Sequence, residues 1–252
     1  MSIQVRDLRY RRRNFELWIP EFDFATSKIT AIVGPNGAGK TTFLKCLSAL
    51  LPPSEGTIRV EGRDLRSLGE TDRARRMAFV PQEQAAAFNF NVLDFVLMGR
   101  TAYLPLFGTP SARDRALAEE SLAFVDFSHP SDRPTLQLSS GERRLVLIAR
   151  ALAQQTDILV LDEPTTFLDP RHETEIMELT RRLALEQKKT ILVTLHNLDM
   201  AVRYADQLVF MKDGRIVTHG RPDEILTEDL LRRVYDIPMQ ILRHDGRLFI
   251  VK

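Results

Sequence analysis

The sequence predicts an α/β fold with a mostly parallel core sheet, an antiparallel β subdomain at the N-terminal end and a helical subdomain. Apolar segments of strand length alternate with segments of helical periodicity, a glycine-rich turn follows the first buried strand, and several apolar strands end in polar side chains. The 252 residues suit one domain. We expect residues 1–84 and 155–252 to form the core with its antiparallel part, and residues 85–154 to form the helical subdomain.

The N-terminal segment SIQVRDLRYRRRNFELWIPEFDF alternates apolar and polar residues around a basic turn, which predicts a half-buried antiparallel hairpin. Its expected inner face consists of Ile3, Val5, Leu8, Phe15, Leu17 and Ile19. KITAIV then predicts a buried strand. TTFLKCLSALL predicts a helix that ends at Pro52 and Pro53, because proline cannot continue a helix. GTIRVEG and RMAFVPQ predict two further strands.

From about residue 85 the strand pattern gives way to aromatic residues, prolines and the helical segment SARDRALAEESLAFVDF. ERRLVLIARALAQ is apolar on nearly all sides, which predicts a buried helix, and DILVLDEP predicts a buried strand that ends in two carboxylates. The pattern repeats with the helix HETEIMELTRRLALEQ and the strand TILVTLH. QLVFMKDGRIVTHG predicts a hairpin that turns at Asp213 and Gly214.

Composition limits the classes of partner. The 35 basic and 34 acidic residues leave a formal net charge of +1, so we expect no nucleic-acid partner. The single cysteine, Cys46, excludes an internal disulfide framework, and the start of the chain carries no leader pattern, which favours the cytoplasm. No uncharged apolar run reaches the roughly 18 residues that cross a bilayer, so any work at a membrane is expected to need another chain.

The segment GPNGAGKTT, residues 34–42, matches G-x-x-x-x-G-K-[ST] and lies between a predicted strand and a predicted helix. Triphosphate oxygens need several converging backbone N–H groups, and glycines let the chain curl without obstructing side chains. Lys40 suits the β and γ phosphates, the Thr41 hydroxyl suits Mg²⁺, and Thr42 suits the α phosphate. A plain glycine turn is the weaker alternative. The predicted ATP-binding loop residues are Gly34, Pro35, Asn36, Gly37, Ala38, Gly39, Lys40, Thr41 and Thr42.

Other polar residues end apolar strands. Asp162 and Glu163 close ILVLDE, where a parallel strand delivers side chains to the carboxyl edge of its sheet. Phosphoryl transfer to water needs a metal holder and a group that orients the water, and Asp162 suits the first role and Glu163 the second. Gln82, after MAFVP, suits the metal and the water, and His196, after ILVTL, suits the γ phosphate. Each alone has an ordinary alternative as a polar strand end or a surface histidine.

The segment QLSSGERR allows two interpretations. Ser139 with Glu142 three positions on forms an ordinary capping box. The N–H groups of Ser140 and Gly141 at the same helix start also form an anion site that has no phosphate loop of its own. The residues alone leave both interpretations open.

Taken in order, the segments GPNGAGKTT, VPQ, LSSGE, LVLDEP, FLD and LH resemble the ATP-binding subunits of ABC transporters across nearly the whole chain. The resemblance implies a P-loop NTPase fold, with ATP and Mg²⁺ bound, and hydrolysis between two copies that face each other head to tail. LSSGE resembles the family's signature sequence, FLDP its D-loop and His196 its switch histidine. An early aromatic residue is implied to stack on adenine, with Tyr10 the best match and Phe15 second, although either can be an ordinary strand aromatic.

The resemblance also assigns roles to matching positions. The implied catalytic residues are Glu163, His196, Gln82 and Lys40. The implied metal ligands are Thr41, Gln82 and Asp162. The residues implied to meet the ATP of the second copy are Ser139, Ser140, Gly141, Glu142 and Asp169.

Within the family, NVLDFVLMGRTAYLPLFG and the tail YADQLVFMKDGRIVTHGRPDEILTEDLLRRVYDI are similar to ATPases of importers for iron-siderophore complexes, haem, cobalamin and molybdate. The similarity implies a homodimer beneath permease subunits at the cytoplasmic face of the cell membrane, with an extracytoplasmic substrate-binding protein acting indirectly. Iron-siderophore complexes are the first candidate cargo. Residues Phe88 to Phe107 are the expected permease contact, or in part the subdomain's own core. A soluble ABC ATPase and an ATP-dependent dimerisation switch are the alternatives.

Three residues depart from the usual family pattern. Ser140 adds a Cβ atom at a closely approached position, and Glu142 brings a carboxyl group near phosphate. We expect both to affect the rate more than the function. Phe167 stands where the D-loop usually has a small residue, so we expect it to crowd the interface between the two copies.

Overall fold

Three sheets and a set of helices make up the computed structural model, which describes residues 2–82, 90–244 and 247–251. The strands are β1 (Ile3–Arg12), β2 (Phe15–Phe24), β3 (Ile29–Val33), β4 (Glu55–Val60), β5 (Arg63–Asp64), β6 (Met77–Val80), β7 (Ile158–Leu161), β8 (Thr190–Thr194), β9 (Gln207–Lys212), β10 (Arg215–Gly220), β11 (Gln240–His244) and β12 (Arg247–Val251). The helices are α1 (Lys40–Leu47), α2 (Glu70–Ala74), α3 (Val92–Leu97), α4 (Ala112–Phe124), α5 (Ser140–Ala153), α6 (Pro170–Glu186), α7 (Leu198–Tyr204), α8 (Pro222–Ile225) and α9 (Glu228–Tyr235).

The central sheet has the strand order β10-β9-β3-β8-β7-β6. The five strands from β9 to β6 run parallel to one another, and β10 returns antiparallel at the edge. Every residue of β3, β7 and β8 is buried, as expected of parallel strands that are covered on both faces. The predicted α/β fold with a mostly parallel core sheet is confirmed, and the predicted hairpin turns at Asp213 and Gly214.

The N-terminal sheet is antiparallel, with the order β2-β1-β4-β5. Five of the six residues predicted to form its inner face are fully buried, and Phe15 is half-buried. This face packs on α1, whose Phe43 and Leu44 belong to the same apolar cluster. Because α1 also lies against the central sheet, the two sheets enclose the helix that follows the glycine-rich loop.

The helices α3, α4 and α5 form the middle of the chain, and the segment predicted to be helical there becomes α4. Arg100 fastens the start of α4 to the end of α5: its Nε donates to Asp114 Oδ1 at 2.9 Å and its Nη1 to the carbonyl of Ala153 at 2.7 Å. The predicted start of the helical subdomain, near residue 85, lies outside the described residues. Its boundaries stay a prediction.

The first helix ends earlier than predicted. Instead of reaching Pro52, α1 ends at Leu47, because Ala49 takes a left-handed conformation (φ 55°) and Leu50 N–H donates back to the carbonyl of Lys45 at 2.9 Å. The antiparallel pair β11 and β12 near the C-terminal end was not predicted. Of the helices in the described ranges, none combines the length and apolar character that crossing a bilayer requires.

Candidate functional site

The glycine-rich loop connects β3 to α1 and curls over the start of that helix. Gly34 has φ 153°, and a Cβ atom there would overlap the carbonyl oxygen of Met211, so no other residue fits. Gly39 has φ 97°, and a Cβ atom there would lie 2.7 Å from Cζ of Phe15. The loop therefore has both the backbone conformation and the close packing that its glycines predict.

Lys40 is buried, with only 5% of its surface exposed, and its side chain turns back along the loop. Its Nζ donates to the carbonyls of Gly34 at 2.9 Å and Pro35 at 3.2 Å. Burial lowers the pKa of Lys40, and the nearby Glu163 and Asp162 act in the opposite direction. The ammonium group is thus held at the mouth of the loop by acceptors that an anionic ligand can replace.

Asp162 follows β7, and its carboxylate connects the first turn of α1 with the end of β8. Its Oδ1 accepts from Thr41 Oγ1 and from Thr194 Oγ1, both at 2.9 Å. Asp162 is 2% exposed, and this burial raises its pKa. The sequence did not single out Thr194, because it is one of two threonines in a buried strand whose other residues are isoleucine, leucine and valine.

Glu163 is the next residue and is 6% exposed, with φ 49°. Its N–H donates to Thr194 Oγ1 at 2.8 Å, which fixes the backbone beside Asp162. Its Oε1 lies 2.5 Å from Nε2 of His196, and its Oε2 accepts from Thr166 Oγ1 at 3.3 Å. The two residues predicted to handle the water and the γ phosphate are therefore in direct contact.

Gln82 follows β6 at the same edge of the sheet, and a residue of α5 holds its backbone. Arg144 is buried and donates from Nη1 to the carbonyl of Pro81 at 2.9 Å and from Nη2 to that of Gln82 at 2.6 Å. The sequence did not single out Arg144, since a charged residue within ERR at a helix start is an ordinary pattern. Its contacts depend on the packing of α5 against the end of β6.

The capping box at the start of α5 is present. Ser139 Oγ accepts from Glu142 N–H at 3.2 Å, and Glu142 Oε2 accepts from Ser139 N–H at 2.7 Å. Glu142 Oε1 also lies 2.5 Å from His129 Nε2 and 3.2 Å from Arg133 Nη1. The N–H of Ser139 is the main cause that lowers the pKa of Glu142. The unusual carboxylate is thus paired with protein groups instead of facing outward.

The remaining residues of this segment differ in exposure. Ser139 and Ser140 are exposed, whereas Gly141 is buried. Asp169 caps α6 by accepting from the N–H groups of Arg171 at 3.0 Å and His172 at 3.1 Å. Phe167 protrudes between β7 and α6, 76% exposed, with φ 64°.

The structure brings together only part of the predicted site. Gly34–Thr42, Gln82, the carboxylates and His196 meet at the carboxyl edge of four adjacent strands, β3, β8, β7 and β6. Among the described residues, no hydrogen bond or ion pair joins Ser139–Glu142 or Asp169 to the glycine-rich loop. One copy of the chain therefore contains a complete phosphate loop and a separate, outward-facing helix start.

Both candidates for contact with adenine lie on the inner face of the N-terminal sheet. Tyr10 pairs with Leu17 and packs against the apolar cluster around α1. Phe15 pairs with Arg12 at the end of the hairpin, and its ring covers Gly39. Phe15 is thus already in contact with the loop, while Tyr10 lies two pairs further from the turn.

Comparison with known proteins identifies a family model and several relatives whose names state a function. The family model described as "ABC transporter" matches residues 19–166. A cobalamin import ATP-binding protein of Halobacterium salinarum is 40% identical over 208 residues, 82% of this chain and 52% of the relative, so the chain spans about half of that protein's length. A Helicobacter pylori protein named as an iron chelatin transport ATP-binding protein is 34% identical, and the alignment covers 99% of both chains.

Two solved structures of ABC transporter proteins share the fold of this chain. An inward-facing transporter described as of the metal-chelate ABC type superposes with a TM-score of 0.86 at 30% identity, covering 99% of this chain and 96% of that one. A dimeric bacterial ABC transporter cassette superposes with a TM-score of 0.74 at 25% identity, covering 87% of this chain and 98% of that one. The chain belongs to the ABC transporter family, as one of its ATP-binding cassettes.

Proposed function

We propose that the chain binds and hydrolyses ATP as the ATP-binding subunit of an ABC importer, with two copies closing head to tail on two ATP molecules. One observation carries the proposal: four adjacent parallel strands deliver the phosphate loop, His196, the carboxylates and Gln82 to one edge of the sheet. In the part of the chain that the structure describes, no hydrogen bond or ion pair joins the signature segment Ser139–Glu142 to that edge within one copy. A second copy would supply the missing half, and a solved ABC transporter cassette that the chain resembles is dimeric.

The loop residues bind the triphosphate in this proposal. Backbone N–H groups of the loop and the N-terminus of α1 face the phosphates, and Lys40 exchanges the carbonyls of Gly34 and Pro35 for the β and γ phosphates. The anionic phosphates favour the charged ammonium that burial alone disfavours. Tyr10, or Phe15 in its place, stacks on the adenine.

The oxygen atoms beside the loop fit Mg²⁺. Thr41 Oγ1 and Asp162 Oδ1 are 2.9 Å apart, and hydroxyl, carboxylate and amide oxygens are the ligands that this ion takes together with phosphate. In the described part of the chain, no three side chains of His, Cys, Asp or Glu cluster as a metal site of their own, which agrees with an ion held largely by the nucleotide. Thr41, Asp162 and Gln82 would hold it, and the bound ion would neutralise phosphate charge.

Glu163 and His196 carry the hydrolytic step. His196 Nε2 lies 2.5 Å from Oε1 of the Glu163 carboxylate, so one carboxylate oxygen is already paired. A γ phosphate offers this N–H a second acceptor, which releases the carboxylate to orient the attacking water and to accept its proton. Because the Glu163 backbone is fixed by Thr194, the carboxylate stays beside Asp162 throughout.

The partner and the cargo follow from the relatives. The names of the two relatives concern import of cobalamin and transport of iron chelatin, so a metal chelate is the cargo we propose, with an iron-siderophore complex first and haem, cobalamin or molybdate next. The chain would lie at the cytoplasmic face of the cell membrane under a permease that receives cargo from an extracytoplasmic binding protein.

Within the predicted permease contact, Phe88 to Phe107, residues 88 and 89 lie outside the described part. The described part divides into two. The side chains of Val92, Leu93, Val96 and Leu97 are buried in the core, whereas Leu106 is 86% and Phe107 97% exposed. Phe107 also has φ 66°. The exposed end of the segment is therefore the part proposed to meet the permease.

Glu163→Gln tests this function. The amide keeps the size of the side chain and one of its two acceptor oxygens but cannot take up a proton from water, so we expect ATP binding to persist and turnover to fall about a hundredfold or more. The variant should accumulate as an ATP-bound dimer in size-exclusion chromatography. Glu178→Gln, which alters a carboxylate bonded to Tyr204 away from the sheet edge, is the matched control.

Hydrolysis at the wild-type rate by Glu163→Gln would falsify the catalytic assignment. The importer assignment is tested by purifying the ATP-trapped variant from detergent-solubilised membranes of its own cells. We expect a multi-helix permease to be recovered with it. Recovery of the dimer without any membrane protein would instead support the soluble ATPase alternative.

A further inference from the structure

The start of α5 rests on a residue that no sequence motif identified, His172 in the first turn of α6. A Cβ atom added to Gly141 would lie 2.5 Å from Cδ2 of His172 and 2.9 Å from its Cγ and Nε2. Real Cβ atoms do not approach other atoms so closely, so the imidazole occupies the space that any larger residue at position 141 needs. Gly141 is helical, and no left-handed φ explains the glycine there.

The imidazole is fixed by the D-loop. Its Nδ1 lies 2.5 Å from Asp169 Oδ2, while Asp169 Oδ1 accepts from the N–H groups of Arg171 and His172. The ring is 35% exposed, so its position depends on this bond more than on surrounding core. The bond to His172 is also the first cause that lowers the pKa of Asp169. One carboxylate therefore caps α6 and aims the ring at Gly141.

We propose that His172 is a positioning residue that seats the signature helix on the D-loop. In this arrangement Gly141 is a glycine because of the imidazole of its own chain, and the ring sets where the N–H groups of Ser140 and Gly141 point. The inference rests on the proposed function, since those N–H groups are proposed to meet the γ phosphate of the second copy. His172 itself need not touch the nucleotide.

A double-mutant cycle tests the proposal with Gly141→Ala, His172→Ala and the double variant in the full-length chain. In Gly141→Ala the new methyl group either pushes α5 away or drives the ring from Asp169. We expect kcat to fall about a hundredfold, because a misplacement of about 1 Å can cost that much. The melting temperature should fall by about 2–4 °C, the shift that a moderately destabilising substitution produces in a chain of this size.

The double variant decides the outcome. Without the ring the methyl group has space, so the double variant should melt higher than Gly141→Ala and turn over faster, by about tenfold, since contacting residues are not additive. His172→Asn, whose amide can still donate to Asp169, should keep more activity than His172→Ala. Gly69→Ala is the control, since a Cβ atom there meets nothing within 4 Å. The Kd of the monomer for ATP should not change in any of these variants.

If the losses of kcat in the two single variants simply multiply in the double variant, the proposal is overturned. Turnover at the wild-type rate by Gly141→Ala would also overturn it. Coupled melting temperatures with unchanged kcat would also overturn it, because the contact would then be structural only. If the wild-type chain hydrolyses no ATP, the proposed function fails and the positioning role fails with it. If Glu163→Gln abolishes hydrolysis while the cycle shows no coupling, the inference alone fails.

Discussion

The carboxyl edge of the central sheet and the start of α5 are both suited to phosphate, but they are built in opposite ways. At the sheet edge, Lys40, Asp162 and Glu163 are almost fully buried and bonded to groups of the same chain. At the start of α5, Ser139 and Ser140 are exposed, and the carboxylate of Glu142 is paired within the capping box. The first region is enclosed by core, whereas the second is a surface.

This difference separates binding from turnover. A buried loop with its own ammonium group can bind a triphosphate within one copy. An exposed helix start offers N–H groups with partial positive charge, and the guanidinium of Arg133 beside it is paired with Glu142, so we expect it to add to a phosphate that is already bound elsewhere. Changes to the glycine-rich loop and to Lys40 should therefore affect the Kd of the monomer, and changes at the start of α5 should affect kcat.

The largest effect is expected from Lys40→Met. Methionine keeps most of the side-chain volume but removes the ammonium group, and a hydrogen bond to a charged group contributes roughly 1.5–3 kcal/mol. We expect the Kd of the monomer for ATP to rise about a hundredfold, in line with that loss. Isothermal titration at a concentration where the chain is monomeric measures it.

Lys189→Met is the matched control for this change. Lys189 is also buried, its Nζ donates to the carbonyl of Thr156 at 2.5 Å, and burial lowers its pKa as it does that of Lys40. It lies between α6 and β8, at the opposite edge of the sheet. Both variants should lose stability, but only Lys40→Met should lose affinity. Equal loss of affinity in the two would mean that Lys40 has no special role at the loop.

Ser139→Ala should have the next largest effect, and on a different quantity. Removing the cap costs about 1 kcal/mol of stability. Because it also removes a hydroxyl and loosens the N–H groups proposed to face the second copy, we expect kcat to fall about tenfold or more. Losing a donor bonded directly to the developing anion costs about a hundredfold or more, which is the upper end of the expected loss. The Kd of the monomer should stay at the wild-type value.

Ser111→Ala provides the comparison for this variant. Ser111 and Asp114 form the same capping box at the start of α4. Asp114 is bonded to Arg100, which reaches Ala153 at the far end of α5. The two variants should melt at similar temperatures while only Ser139→Ala loses turnover. A higher Kd in monomeric Ser139→Ala would show that the signature segment had been assigned to the wrong phosphate.

The sequence predicted those features that depend on local rules. Period-2 and helical patterns identified the strands and helices, and the geometry of parallel sheets predicted that polar residues after β6, β7 and β8 lie near the glycine-rich loop. The predicted end of α1 was wrong, because Ala49 takes a left-handed conformation that ends the helix before Pro52 and Pro53 are reached. Proline sets only the latest point at which a helix can end.

The contacts that hold the site in place could not be predicted in the same way. Thr194 looks like one more β-branched strand residue, and its hydroxyl matters only because β7 and β8 are neighbours. Arg144 and His172 look like surface residues near the starts of helices. Each acts across a tertiary contact, on the carbonyls of Pro81 and Gln82 and on Gly141. No spacing along the chain encodes such a pairing.

The smallest expected effect concerns the adenine. Tyr10 and Phe15 share one face of the N-terminal hairpin, but the ring of Phe15 already covers Gly39. We expect Tyr10→Leu to weaken ATP binding about fivefold, because aromatic stacking contributes roughly 0.5–1.5 kcal/mol. Its affinity for inorganic tripolyphosphate, which has no base, should not change. Phe15→Leu should weaken the binding of both ATP and tripolyphosphate, since it uncovers the loop itself. If instead Phe15→Leu weakens the binding of ATP alone and Tyr10→Leu weakens the binding of both ligands, Phe15 stacks on the adenine and Tyr10 is an ordinary strand aromatic.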